Sequence, residues 1–186
     1  MLIERMRRRL SAGTGIIEPV GIRLGDFDRM RPDSNDLLQE HQIMIEEGGT
    51  KGSNPIRPFL MFSGERHGQA EAAINFYTST FPASRIISIE KYGPKQAEPE
   101  GTVRCASFVL NGQDFMAIDS AAPHAFNFTP SLSLYVNSPG LSDFDGLVGR
   151  LSEAGNMLMP PNNYGFSRKF AWFNDRFGVS WQVNCE

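Results

Sequence analysis

The chain has 186 residues, of which 40% are hydrophobic, with 18 basic against 21 acidic side chains and a formal net charge of -3. Such a balance argues against a nucleic-acid-binding protein, because affinity for a phosphate backbone comes from many lysines and arginines. No segment reaches the roughly 20 consecutive apolar residues of a membrane-spanning helix, so we expect a cytoplasmic protein with no membrane partner.

The composition changes near residue 54. Phe27 is the only aromatic residue before Asn54, and the first 53 residues carry mixed charges and several turn formers. Such a segment has little apolar surface to offset the entropy that folding removes. We therefore predict a disordered N-terminal extension over 1–53 and a single packed domain over 54–186.

The first half of the packed part begins with a strand and a helix. The pattern predicts a strand over Ile56–Ser63 and an amphipathic helix over about Gln69–Phe81, which Pro82 ends. Three more strands are predicted over Ser84–Tyr92, Val103–Leu110 and Gln113–Asp119. The pair Asn111-Gly112 between the last two predicts a tight hairpin, because a type I′ turn needs positive φ at both central residues.

The second half repeats this order. A strand is predicted over Ser131–Val136, a helix over Leu141–Ala154, and strands over Asn156–Met159, Arg168–Asn174 and Ser180–Asn184. The repeat predicts two modules, about 54–122 and about 123–186, each with one sheet face packed on its helix. The other faces of the two sheets would then enclose a cleft.

Alternation assigns faces on two of these strands. In SLSLYV, Leu132, Leu134 and Val136 form the apolar side, which leaves Ser131, Ser133 and Tyr135 on the opposite side. On the last strand, Trp181 and Val183 should face a helix if Gln182 faces the cleft. Asp175, just before that strand, is predicted to stabilise the turn through its own side-chain hydrogen bonds.

Five segments carry a family resemblance. They are PFLMFSG, AEAAINFYTSTFP, NGQDFMAID, FNFTPSLSLYV and WFNDRFGVSWQV, in this order over 54–186. The chain resembles the PhnB-like family of the glyoxalase, or vicinal oxygen chelate, superfamily, whose members often bear the name 3-demethylubiquinone-9 3-methyltransferase. The resemblance implies an α+β fold in which paired βαβββ modules form a curved mixed sheet around a cavity. It also implies a homodimer.

The resemblance further implies a place for a metal. Metal-dependent members of the superfamily place His or Gln on the first strand and Glu on the last strand of each module, and the matching positions here are Pro58, Ser131 and Gln182. Asp119 would join them only if the odd-numbered residues of its strand face inward. Imidazole and carboxylate are the usual ligands of such metals, so we predict no bound metal and no cofactor.

The function predicted from these features is binding of a small molecule, with a non-catalytic role preferred. The alternative is a divergent lyase, isomerase or dioxygenase-type enzyme, and the methyltransferase activity of the family name is the third reading, since no glycine-rich strand-to-helix loop for a nucleoside cofactor appears. The predicted cavity is lined by these residues: Leu60, Phe62, Met116, Ser131, Ser133, Tyr135 and Gln182.

Overall fold

The computed structural model describes residues 56–186. The first part of this range contains β1 (Phe59–Ser63), α1 (Ala70–Thr80), β2 (Arg85–Lys91), β3 (Val103–Leu110) and β4 (Gln113–Ser120). The second part contains β5 (Leu134–Asn137), α2 (Leu141–Leu151), β6 (Asn156–Asn162), β7 (Lys169–Asn174) and β8 (Ser180–Cys185). The predicted extension over 1–53 lies outside the described residues.

The strands of the described range form two four-stranded mixed sheets. Sheet A has the order β1-β4-β3-β2 and sheet B has the order β5-β8-β7-β6. In each sheet the first strand runs parallel to the last, and the remaining neighbours are antiparallel. The predicted fold class, α+β with paired βαβββ modules, is confirmed.

The hairpin between β3 and β4 follows the predicted turn chemistry. Asn111 has φ 47° and Gly112 has φ 84°, both in the left-handed region. Asparagine and glycine tolerate this conformation better than other residues, which explains why this pair sits at the hairpin.

The first strand of sheet B begins later than predicted. It starts at Leu134, whereas Ser131 lies in a turn and the side chain of Leu132 is 71% exposed. The backbone N–H of Leu132 donates to the carbonyl of Thr129, and the hydroxyls of Thr129 and Ser131 are 2.5 Å apart. These turn contacts replace the sheet pairing that the alternating pattern predicted.

One hydrophobic core joins the two modules. It includes residues from the helix-bearing face of sheet A, such as Phe62 and Phe108, and of sheet B, such as Phe173 and Trp181. The ring of Trp181 lies 5.3 Å from that of Phe81 at the end of α1, and Val183 is fully buried in the same core. This packing confirms that the odd-numbered residues of β8 face the helices. The two sheets share a core on their helix-bearing sides, whereas the sequence predicted that their opposite faces would enclose a cleft.

Asp175 accepts four hydrogen bonds, one of which links the two modules. Its Oδ1 accepts from the backbone N–H groups of Phe177 and Val179, and its Oδ2 accepts from Tyr77 Oη at 2.6 Å and Trp181 Nε1 at 2.8 Å. The turn-stabilising role predicted for Asp175 is confirmed, and the bond to Tyr77 of α1 adds a link that the local sequence could not show.

None of the helices between residues 56 and 186 combines the length and the apolar character needed to cross a lipid bilayer.

Candidate functional site

Sheet B has a polar face on the side opposite the helices. Strand register aligns its side chains in rows across the sheet, so that Tyr135 lies opposite Gln182, Gln182 opposite Trp172, and Trp172 opposite Met159. The rows on either side of this middle row consist mainly of Asn and Ser side chains. We call this surface the polar face; its members are Ser133, Tyr135, Asn137, Asn156, Met159, Asn162, Phe170, Trp172, Asn174, Ser180, Gln182 and Asn184.

Hydrogen bonds hold several of these side chains in place. Ser180 Oγ lies 2.8 Å from Ser133 Oγ and accepts from Trp172 Nε1 at 3.0 Å. Asn184 Nδ2 donates to Asn137 Oδ1 at 3.0 Å. Because each of these bonds joins neighbouring strands, the rotamers of the face are ordered before any ligand arrives.

Two side chains in the middle row, Gln182 and Tyr135, form no side-chain hydrogen bond with another residue of the described range. Gln182 is half-buried between Tyr135, which is 55% exposed, and Trp172, which is half-buried. The amide of Gln182, which bonds to no other side chain or backbone group of residues 56–186, thus lies between two aromatic side chains.

The polar face has no charged member. The nearest basic side chain along β7 is Arg168, which precedes the strand, and its Nη1 lies 3.4 Å from the carbonyl oxygen of Glu186. Lys169 follows on the helix-bearing side, where its Nζ lies 5.3 Å from the ring of Phe144. The chemistry of the face is therefore that of neutral hydrogen-bonding groups and rings.

A groove of about 670 Å³ runs along β5 and borders the polar face. Ser133, Tyr135 and Asn137 line both the groove and the face, so the two surfaces are continuous. The other groove walls are mainly apolar and include Phe81, Leu110, Phe115, Leu132, Leu134 and Trp181. Its volume falls within the range of small-molecule pockets.

The structure separates the seven predicted cavity residues. Ser133, Tyr135 and Gln182 lie together on the polar face, and Met116 lies on the corresponding face of sheet A, opposite Phe59 of β1. Leu60 and Phe62 point the other way, into the core, with exposed fractions of 5% and 0%. Ser131 is exposed in the turn before β5.

The residues at the metal positions that the sequence resemblance implies do not fit a divalent ion. Asp119 faces the helix, where its Oδ1 accepts from the backbone N–H groups of Gly68 and Ala70 and its Oδ2 accepts from Val103. Both carboxylate oxygens are thus committed to the start of α1 and to β3. Within residues 56–186, no group of three or more His, Cys, Asp or Glu side chains could hold a metal.

Sequence reasoning missed several members of the polar face. The segment SWQVNC alternates between polar and apolar residues, and this alternation places Ser180 and Asn184 on the same face as Gln182. The period of two that predicts the orientation of Gln182 also predicts that of Ser180 and Asn184. The size of Trp172 by itself favours a core or interface residue, and only the strand register opposite Gln182 places it on the polar face.

The sequence of the described domain matches a known family. A family model described as 3-demethylubiquinone-9 3-methyltransferase matches residues 54–184. The chain belongs to this family. The resemblance to PhnB-like proteins is thereby confirmed.

Two solved structures of similar proteins agree with this assignment. The PhnB protein of Bacillus cereus, described as a 3-demethylubiquinone-9 3-methyltransferase, is 47% identical over 72% of this chain and 100% of its own, with a TM-score of 0.68. Protein PA1353 from Pseudomonas aeruginosa is 26% identical over 72% of this chain and 98% of its own, with a TM-score of 0.61. No protein with a curated function matches the chain.

Proposed function

We propose that this PhnB-like protein binds a neutral small molecule on the polar face, without a metal ion and without catalysing a reaction. The observation that carries the proposal is the middle row, in which the amide of Gln182 lies between the rings of Tyr135 and Trp172. A ring can stack on either aromatic side chain while its polar substituents bond to the amide.

The charge of the site supports a neutral ligand. A buried or half-buried charge is costly unless it is paired, and the polar face has no charged side chain to pair with one. The groove along β5 supplies adjacent apolar surface through Leu134 and Phe115. The proposed ligand therefore combines a polar, flat part with an apolar part.

The start of α1 supports a role other than methyl transfer. Nucleoside cofactors commonly bind where backbone N–H groups open a helix after a strand. Here the N–H groups of Gly68 and Ala70 donate to Asp119, at 2.8 and 3.2 Å. These donors are satisfied within the protein, so the loop offers no open cradle of that kind.

The proposal is tested with three probes of one shape and different charge. Benzamide is neutral, benzoate is an anion and benzamidine is a cation, and their affinities are measured by isothermal titration calorimetry. We expect benzamide to bind and the two ions to bind at least about tenfold more weakly, because an unpaired charge loses its hydration at the face. Tighter binding of either ion than of benzamide would overturn the proposal.

The contacts are tested with matched variants. Gln182→Leu removes the amide while keeping similar volume, and we expect it to weaken benzamide binding about fivefold or more. Asn75→Leu is the control, since Asn75 is an exposed residue of α1 that lines neither the groove nor the polar face. Thermal unfolding with and without Zn²⁺, Ni²⁺ or Mn²⁺ completes the test, and a specific rise in melting temperature with one ion would contradict metal-free binding.

The proposal includes a homodimer. The side chains of Ile56, Phe59 and Leu132 lie at or before the starts of β1 and β5 and are between 43% and 86% exposed. Both strands pair on one side only in the described chain. Exposed apolar residues beside unpaired strand edges favour association, and a second copy would cover both.

A further inference from the structure

An aromatic cluster borders the polar face at its Phe170 end. The ring of Phe166 lies 5.1 Å from Phe170 at an interplanar angle of 71°, and 6.2 Å from Tyr164 at 16°. Phe170 is a member of the polar face, opposite Asn184 of β8, and is 5% exposed. Phe166 is 65% exposed. The loop between β6 and β7 thus holds one open ring beside the face.

Hydrogen bonds fix the loop that carries this ring. Tyr164 Oη donates to the carbonyl of Pro160 at 2.8 Å, and Gly165 N donates to Asn163 Oδ1 at 2.8 Å. At the other end, Ser167 Oγ lies within 2.9 Å of the carbonyl oxygens of Lys169 and Cys185. Because both ends of the loop are bonded, the exposed position of Phe166 is a defined feature of the fold.

The spacing along β7 sets the size of a molecule that could contact both the middle row of the polar face and the aromatic cluster. Phe170 and Trp172 are two residues apart on the same face, which corresponds to about 7 Å along a strand. A single six-membered ring that stacks on Trp172 is too short to reach the cluster as well. A second fused ring lengthens the flat surface along the strand toward Phe170 and Phe166.

We propose that Phe166, with Tyr164 and Phe170, forms a stacking subsite that makes the polar face selective for neutral ligands of two or more rings. This inference rests on the proposed function. One ring contacts the row of Tyr135, Gln182 and Trp172, and the next ring contacts Phe166. Aromatic contacts of this kind add about 0.5–1.5 kcal/mol, or about 2- to 12-fold in affinity.

The experiment compares benzamide with 2-naphthamide, which has the same amide and one more fused ring. Calorimetric affinities are measured for the wild type, Phe166→Ala and Phe166→Leu, the second of which keeps apolar bulk without a flat ring. Phe126→Ala is the control, because Phe126 is also a loop residue, 62% exposed, whose ring lies 5.1 Å from His124. Far-ultraviolet circular dichroism and thermal unfolding verify that each variant folds.

In the wild type and in Phe126→Ala, we expect 2-naphthamide to bind about fivefold more tightly than benzamide. Both Phe166 variants should lose that preference while they keep the affinity for benzamide. A purely structural role for Phe166 would instead lower the melting temperature and leave the preference unchanged. That result, or equal binding of the two amides by the wild type, would overturn the subsite while the proposed function stands. Binding of neither amide would overturn both.

Discussion

At the scale of single residues, Asp175 shows how one side chain serves both the turn and the packing of the modules. Its carboxylate accepts four hydrogen bonds, two from backbone groups and one each from Tyr77 and Trp181. Burial raises the pKa of Asp175 above its ordinary value of 3.8, although these hydrogen bonds oppose the rise. Burial also raises the pKa of Tyr77 well above 10.0, so the phenol remains a donor at neutral pH.

Asp175→Asn is predicted to destabilise the protein. The substitution replaces one acceptor oxygen with an NH₂ group that meets two buried donors, and we expect the free energy of unfolding in urea to fall by about 1–3 kcal/mol. Asp145→Ala is the control: Asp145 is an exposed residue that pairs with Lys169, so its loss should change stability by less than about 0.5 kcal/mol. A control as damaging as Asp175→Asn would contradict the special role of the buried carboxylate.

The stability difference between Asp175→Asn and the wild type is also predicted to depend on pH. Between 3.8 and the raised pKa, the folded protein retains the Asp175 proton that the unfolded chain releases, so the contribution of this group to stability falls as pH rises. The deficit of Asp175→Asn relative to the wild type should therefore shrink from acid toward neutral pH, as measured by urea unfolding across that range. A deficit that grows with pH would mean that the four hydrogen bonds outweigh burial.

At the scale of elements, glycines in the β3–β4 hairpin and in α2 have opposite roles. Gly112 has φ 84°, a conformation that an L side chain adopts only with strain. Gly146 lies inside α2, and an added Cβ there would meet nothing within 4 Å. Helix-interior glycine is less favourable than alanine because it loses more backbone freedom on folding.

Substitution of each glycine by alanine is predicted to change stability in opposite directions. Gly112→Ala should lower the free energy of unfolding by about 1–2 kcal/mol, and Gly146→Ala should raise it by about 0.5–1 kcal/mol. Urea unfolding of both variants beside the wild type measures the two effects. A change of the same sign in both would show that backbone conformation does not govern these positions.

The polarity patterns of β8 and β1 explain why only part of the candidate site could be predicted from the sequence. In β8, SWQVNC places Ser180, Gln182 and Asn184 on one face and apolar side chains on the other, so alternation assigns both faces. In β1, FLMFS is apolar at four successive positions, and no period of two identifies the core side. The prediction that Leu60 and Phe62 line the cavity is therefore wrong, and only their neighbours in sheet A place them in the core.

At the scale of the whole molecule, the two modules share one core through the helix-bearing faces of their sheets. Tyr77 of α1 contacts Trp181 of β8, with ring centroids 5.3 Å apart, in addition to its bond with Asp175. This packing leaves the polar face and the groove along β5 outside the shared core, and the outer edges of β1 and β5 pair with no strand of residues 56–186.

The proposed dimer predicts that light scattering during size-exclusion chromatography gives twice the mass of one chain. Charged groups at the exposed apolar positions should prevent burial of these strand starts, so Ile56→Asp combined with Leu132→Asp should elute as a monomer. Ile87→Asp is the control, because Ile87 is 42% exposed on β2, away from the starts of β1 and β5, and should leave the mass unchanged. A wild-type monomer, or a double variant that remains dimeric, would contradict this interface.

The sequence by itself determined the order of the strands and helices, the hairpin at Asn111-Gly112 and the inward and outward residues of β8. These features depend on local conformational preference and on polarity that alternates along one strand. Only the tertiary structure decided which side of β1 enters the core, that Tyr77 bonds to Asp175 across 98 residues, and that Phe166 stands beside the polar face. Each of these depends on segments that are distant in sequence, and no local pattern encodes which distant neighbour a side chain will meet.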